Sequence, residues 1–237
     1  MIQAVPAGVA SAAPATIVAG LWIKICGLKT REAIEAAAQA GANAVGFVFH
    51  QGSPRNLKPN AASELSRVVP AGMERVAVFL HPSQALVDEV LATVAPEWVQ
   101  ADEEDLAGLT LPAGQRVLPV LRSGTAQVAA RIDSDSSATA GGRRAAHYLF
   151  DSALSGTGAR ADWSEAERLA RVTKLVLAGG LDPGNVADAL RAVRPFGLDV
   201  SSGVECERGV KDPARIRDFV RAAREAARAL CSEESPR

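Results

Sequence analysis

One cysteine, one aspartate and two glycine-rich turns are the residues through which this chain could do chemistry. Cys26 closes the apolar run LWIKIC, with Lys24 two residues before it. Residues i and i+2 of an extended strand share a face, and a cation beside a thiol favours the thiolate, so Cys26 reads as a general base or nucleophile. A small buried apolar side chain is the competing reading. Asp151 ends the run HYLFD, where apolar neighbours disfavour the charged carboxylate and suit it to general-acid work. Its alternative is an aspartate that caps the following loop. Gly179-Gly180 and Ser201-Ser202-Gly203 each follow an apolar run, where such turns can aim backbone N–H groups at one spot and cradle a phosphate. A helix starting near Asp182 or after Gly203 would add its positive end. Lys24 and Asp199 are charges on otherwise apolar runs, so an ion pair between them is expected. His50 and Ser53-Pro54-Arg55 follow a further run.

The elements that must position these groups are visible as eight short apolar runs: 21–26, 44–49, 75–80, 97–100, 116–121, 147–151, 174–178 and 197–201. Being nearly continuous, they suit strands covered on both faces. Helical signals lie between them. Thr30 is placed to cap REAIEAAAQA with Gly41 past its end, and a helix is expected over 182–190. Near the end of the chain Ile216, Phe219, Val220, Ala223 and Ala227 share one helical face. Eight strand–helix units match the size of a closed (β/α)8 barrel, with an open doubly wound sheet as the alternative. In a barrel Cys26, His50, Ser53-Pro54-Arg55, Asp151, Gly179-Gly180 and Ser201-Ser202-Gly203 fall at the C-terminal rim, where active sites are built, while His147 falls at the opposite end. The Ser-, Gly- and Arg-rich stretch after 122 reads as a surface insertion. Residues 1–20 read as a flexible extension, 21–230 as the barrel domain and 231–237 as a polar tail.

Composition narrows the function classes. Of 237 residues, 48% are hydrophobic and 22% charged, and the formal net charge is minus 1. No basic stripe or aromatic platform marks a nucleic-acid surface, and no run is long enough for a membrane span. Three scattered cysteines with no C-x-x-C make neither a disulfide framework nor a zinc module. A cytoplasmic protein is expected, with no metal and no nucleic-acid or membrane partner.

The segments KICGLKT, GANAVGFVFHQGSPRN, VAVFL, SGTGARADW, LVLAGGLDPGNV and GLDVSSGVECERGVKD together resemble the phosphoribosylanthranilate isomerase family, from about Trp22 to the last helix. The resemblance implies a (β/α)8 barrel that carries out an Amadori rearrangement in tryptophan biosynthesis, on a small phosphoribosyl substrate and without a cofactor, as monomer or homodimer. It implies Cys26 as the general base at ribose C2 and Asp151 as the general acid at the ring oxygen. Gly179, Gly180, Ser201, Ser202 and Gly203 are implied at the phosphate, Arg55 as a bidentate partner of the anthranilate carboxylate, and Asp199 and Gln100 beside the substrate.

Two segments depart from the family pattern. Where the family has Val-Gln-Leu-His-Gly, this chain has Val-Gln-Ala-Asp-Glu at 99–103, and Ala159 and Ala161 replace a usual Lys and Phe. A carboxylate near an anionic substrate motivates the alternative of a non-catalytic or altered-substrate phosphoribosyl-binding barrel. The related isomerases of histidine biosynthesis carry an aspartate where this chain has Cys26.

Overall fold

A computed structural model describes residues 20–123, 145, 147–153 and 157–234 of the chain. The expected N-terminal extension, and most of the expected insertion after 122, lie outside the described residues. Strands β1 (Trp22–Cys26), β2 (Ala44–Phe49), β3 (Glu74–Phe79), β4 (Trp98–Asp102), β5 (Arg116–Arg122), β6 (Tyr148–Asp151), β7 (Leu175–Leu177) and β8 (Gly197–Val200) close into one parallel barrel. The open sheet is thereby excluded. Closure pairs β1 with β8, with Lys24 opposite Asp199 in the register.

Strand parity decides what faces the barrel interior. Ala44, Val76, Trp98, Leu118, Leu149 and Val176 fill the lumen as one apolar cluster. Their strand neighbours Val45, Ala77, Val99, Val117, Phe150 and Leu177 pack outward against the helices. Because the side-chain period is two, the same inward face continues toward the C-terminal mouth through Lys24 and Cys26, Gln100 and Asp102, Val120 and Arg122, Asp151 and Asp199. An apolar lower lumen and a polar upper one therefore follow from a single alternation.

The outer helices are α1 (Arg31–Ala40), α2 (Pro59–Ser66), α3 (Gln84–Val94), α4 (Glu103–Gly108), α5 (Trp163–Ala170), α6 (Val186–Val193) and α7 (Pro213–Glu234). Thr30 caps α1 by accepting from the Ala33 N–H, and Gly41 ends it in the left-handed region at φ 85°. On α7 the residues Ile216, Phe219, Val220, Ala223 and Ala227 are all buried.

Two expectations are corrected. The helix after β7 starts at Val186 rather than Asp182, because the Asp182 carboxylate accepts from the Gly184 and Asn185 N–H groups and holds a turn there. Helix α7 runs to Glu234. Strand β4 extends to Asp102, two residues past the expected end, which puts Asp102 on the strand itself. Among the described residues no helix is long and apolar enough to cross a membrane.

Candidate active site

Two hollows meet at the C-terminal mouth. The larger, of about 260 Å³, is lined by Cys26, Arg55, Gln100, Asp102, Arg122 and Asp151 among others, including His50. A narrow recess of about 40 Å³ is lined by Gly158, Gly179, Gly180, Leu181 and Ser202. Asp151, Asp199 and Ser201 line both, so the two form one continuous cleft across the mouth.

Cys26 is 7% exposed and Lys24 is fully buried. Gly46 leaves room for them, since a Cβ there would stand 3.0 Å from both Cys26 Sγ and Lys24 Cε, tighter than ordinary contact. The expected ion pair is present: Lys24 Nζ donates to Asp199 Oδ1 at 2.9 Å. Burial alone would lower the Lys24 pKa, but the Asp199 carboxylate and Cys26 outweigh it and hold the ammonium above its ordinary value. For Cys26 the balance runs the other way. Burial raises the thiol pKa and Asp199 adds to this, while Lys24 and Lys211 pull it down without prevailing. The resting group is a thiol, not the thiolate that Lys24 alone would give.

Asp151 is buried at the end of β6, where its Oδ1 accepts from the Ser152 N–H at 2.7 Å. Gly179 packs against this turn, and a Cβ there would meet Ser152 N at 2.8 Å and Asp151 Oδ1 at 3.0 Å. Gly180 lies as close to the backbone of Arg160 and Gly158, and Gly203 closer still to the Leu181 carbonyl, 1.9 Å from where a Cβ would sit. Gly179 and Gly180 have φ of 81° and 65°, so their turn needs glycine on conformational grounds too. The backbone N–H groups of Gly180, Ser202 and Gly203 donate to no acceptor among the described residues. Ser202–Val204 is a single 3₁₀ turn and α6 starts beyond the recess lining. The recess is thus built of turn amides and not of the helix end that the sequence suggested.

Arg55 is buried, and its Nε and Nη2 donate to Glu205 Oε1 and Oε2 at 2.7 and 2.9 Å. One bidentate edge of the guanidinium, which the resemblance assigned to a substrate carboxylate, is held by the protein itself. Glu205 also accepts from Lys211 Nζ at 2.7 Å and from the Gly209 N–H at 3.0 Å. Burial would raise its pKa, yet these donors, Arg55 foremost, hold the carboxyl down at about 2. Lys211 further binds the Ser201 carbonyl and hydroxyl. Glu205 and Lys211 sit on β9 (Glu205–Glu207) and β10 (Val210–Lys211), an antiparallel pair after β8. Sequence reading assigned neither a role. Their opposite charges within GVECERGVKD were the available signal.

Gln100 is 6% exposed, lines the larger hollow, and its buried Oε1 has no partner among the described residues. An orphan acceptor facing a cleft is a position where a ligand donor would fit. Asp102 pairs with Arg122, whose Nη2 donates to its Oδ1 at 2.6 Å. His147 stands at the far end of the barrel beside Trp98 and Phe196, as its place before the sixth strand implied. Glu74 there accepts from the indoles of Trp22 and Trp98 and from Arg116, and these side chains line a hollow of about 180 Å³ at that end.

The family model of N-(5'-phosphoribosyl)anthranilate isomerase matches residues 23–222, nearly the whole barrel. The chain belongs to that family. A phosphoribosylanthranilate isomerase of Bordetella bronchiseptica is 43% identical over 209 residues, covering 84% of this chain and 94% of that protein. The one of Geotalea daltonii is 36% identical over 86% of this chain and 96% of its own length. Among solved structures, the phosphoribosylanthranilate isomerase of Thermotoga maritima superposes with a TM-score of 0.71 at 30% identity, covering 86% of this chain and 99% of that one. Another, solved in complex with reduced 1-(o-carboxyphenylamino)-1-deoxyribulose 5-phosphate, gives a TM-score of 0.69 at 30% identity, covering 86% of this chain and 99% of that one. Membership in the phosphoribosylanthranilate isomerase family makes the chain an aldose–ketose isomerase on a (β/α)8 barrel.

Proposed function

We propose that this chain converts N-(5'-phosphoribosyl)anthranilate to 1-(2-carboxyphenylamino)-1-deoxyribulose 5-phosphate in tryptophan biosynthesis, with Cys26 as general base and Asp151 as general acid. The observation that carries the assignment is that both residues face one cleft, beside a recess of turn amides that have no acceptor among the described residues. Gly179, Gly180, Ser201, Ser202 and Gly203 form the phosphate end of this reading. The ribose then lies between β1 and β6.

Asp151 gives its proton to the ring oxygen as the C1–O bond breaks, and the anilino nitrogen supplies the electron pair, leaving an iminium at C1. That cation acidifies the C2–H, which the Cys26 thiolate removes to give an enaminol. Protonation at C1 and loss of the C2 hydroxyl proton complete the aminoketose. Lys24 and Lys211, the two cations that act on Cys26, stabilise the thiolate once formed. Asp199 holds Lys24 in place and borders the amine. The Gln100 Oε1 accepts a substrate N–H or O–H donor. Arg55, with one edge on Glu205, contributes its charge to the aryl end.

The test is the loss of phosphoribosylanthranilate fluorescence on adding purified protein. Turnover by wild type, abolished in Cys26→Ala and in Asp151→Asn with both variants still folded, is the expected result. Near-wild-type rates in either variant would remove that residue from the mechanism. Saturable binding without product would favour the alternative of a phosphoribosyl-ligand-binding barrel, which the 99–103 segment motivates.

A further inference from the structure

A carboxylate on the aryl ring of an anionic substrate needs a cation at the end of the cleft away from the phosphate recess. The recess lies at β7 and β8, and the barrel order places β3 and β4 across the mouth from it, flanked by β2 and β5. Three arginines line the larger hollow: Arg55 after β2, Arg122 at the end of β5, and Arg208 on the exposed turn between β9 and β10. Arg55 has its Nε and Nη2 on Glu205, with both side chains almost wholly buried.

Arg122 differs from both. Parity on β5 points it into the lumen mouth in line with Leu118 and Val120. Its side chain is 27% exposed and that of Asp102 is 23%, so the pair is neither sealed in the protein nor loose on the surface. Asp102 reaches Arg122 from the inward face of the adjacent strand, where Asp102 is in register with Val120, two residues before Arg122. A guanidinium carries five N–H donors in a fixed fork and can serve two carboxylates at once. Like Arg55 and Glu205 this is an arginine–carboxylate pair at the mouth, but it is joined by a hydrogen bond from Nη2 to one carboxylate oxygen and stands in a more open position.

We propose that Arg122, held by Asp102, is a binding residue for the substrate's aryl carboxylate and so sets the selectivity for an anthranilate over an uncharged aniline. This rests on the reaction proposed above. It also accounts for the acid at 102: a lone carboxylate there would repel the substrate, whereas Asp102 already bound to Arg122 fixes the fork and leaves the pair without net charge.

The experiment compares kcat/KM for N-(5'-phosphoribosyl)anthranilate with that for N-(5'-phosphoribosyl)aniline, which lacks the carboxylate, in three proteins. Wild type is expected to prefer the carboxylated substrate. Arg122→Ala is expected to reduce that preference by about 10- to 100-fold, mainly through KM, with the aniline substrate little affected. Removing Arg122 also bares Asp102, which alone would repel the carboxylate, so the deciding protein is Arg122→Ala with Asp102→Asn. It removes both charges of the Asp102–Arg122 pair and serves equally if the single variant fails to fold. A preference that stays low in the double variant supports direct contact. Recovery to the wild-type ratio would show that Arg122 only neutralises Asp102, and would overturn the proposal. So would an unchanged ratio in Arg122→Ala, or a wild type indifferent to the carboxylate. Failure of folded wild type to turn over either substrate would sink the reaction itself, and this assignment with it.

Discussion

Arg55 and Glu205, 150 residues apart in sequence, grip each other through two parallel hydrogen bonds of 2.7 and 2.9 Å at the rim of the barrel. The grip ties the loop after β2 to the β9–β10 hairpin and is shared with Lys211. Glu205 titrates at about 2 in the folded chain against about 4.3 when unfolded. A depressed carboxyl pKa contributes stability that is complete above the unfolded value and is lost as pH falls toward the folded one. Thermal unfolding followed from pH 7 to pH 2 should therefore show a drop in Tm between about pH 4.3 and 2 that is shallower in Glu205→Gln, which starts from a lower Tm at pH 7. Parallel curves for the two proteins would assign that acid limb elsewhere.

Cys26 sets a second pH dependence. Because burial holds its thiol above the ordinary range, the base form grows only as pH rises toward that value. The log of kcat/KM should climb with pH through the neutral and mildly alkaline range. Lys24→Met removes the nearest cation and should push the limb further up in whatever activity remains. A plateau already reached at pH 6, in wild type, would contradict the thiol as base.

Removing one partner of the buried pair on β1 and β8 leaves the other as an uncompensated charge. Lys24→Met should cost about 3–5 kcal/mol in a urea melt. The double change Lys24→Met with Asp199→Leu should recover a substantial part of that. Equal losses in the single and double variants would mean that the damage is one of packing.

Gly203→Ala tests the contact between the loops after β7 and β8. The added methyl meets the Leu181 carbonyl, so the loops must part. Overpacking of this kind costs roughly 1–3 kcal/mol of stability. It should also weaken binding of inorganic phosphate by roughly tenfold, about 1.4 kcal/mol. Unchanged phosphate affinity, by calorimetry, would separate this turn from the phosphate end.

Much of this was legible before any coordinates. Parallel barrel strands are covered on both faces, so AVGFVF or RVLPVL announce themselves as runs. Lys24 and Asp199 stood out because charges on such runs have to find one another. The Arg55–Glu205–Lys211 network and the Asp102–Arg122 pair were not legible, since each joins rim residues whose local sequence holds no periodic signal. The state of Cys26 was misread for a related reason. Lys24 is visible two residues away, but the burial that outweighs it is a property of the closed barrel. The start of α6 was misplaced because Asp182 spends its side chain on a turn, which looks the same in sequence as a helix cap.

The partner of Lys24 lies 175 residues further along the chain. While the protein is being made, the first strand and its lysine emerge long before the eighth. A lysine on an apolar strand without its carboxylate is a strong reason not to be buried, so β1 has no stable dry position until Asp199 has been synthesised. The thiol beside it stays in water for the same interval. The nascent chain therefore carries an ordinary, solvent-facing cysteine, and the shielded one exists only after the last strand closes the ring.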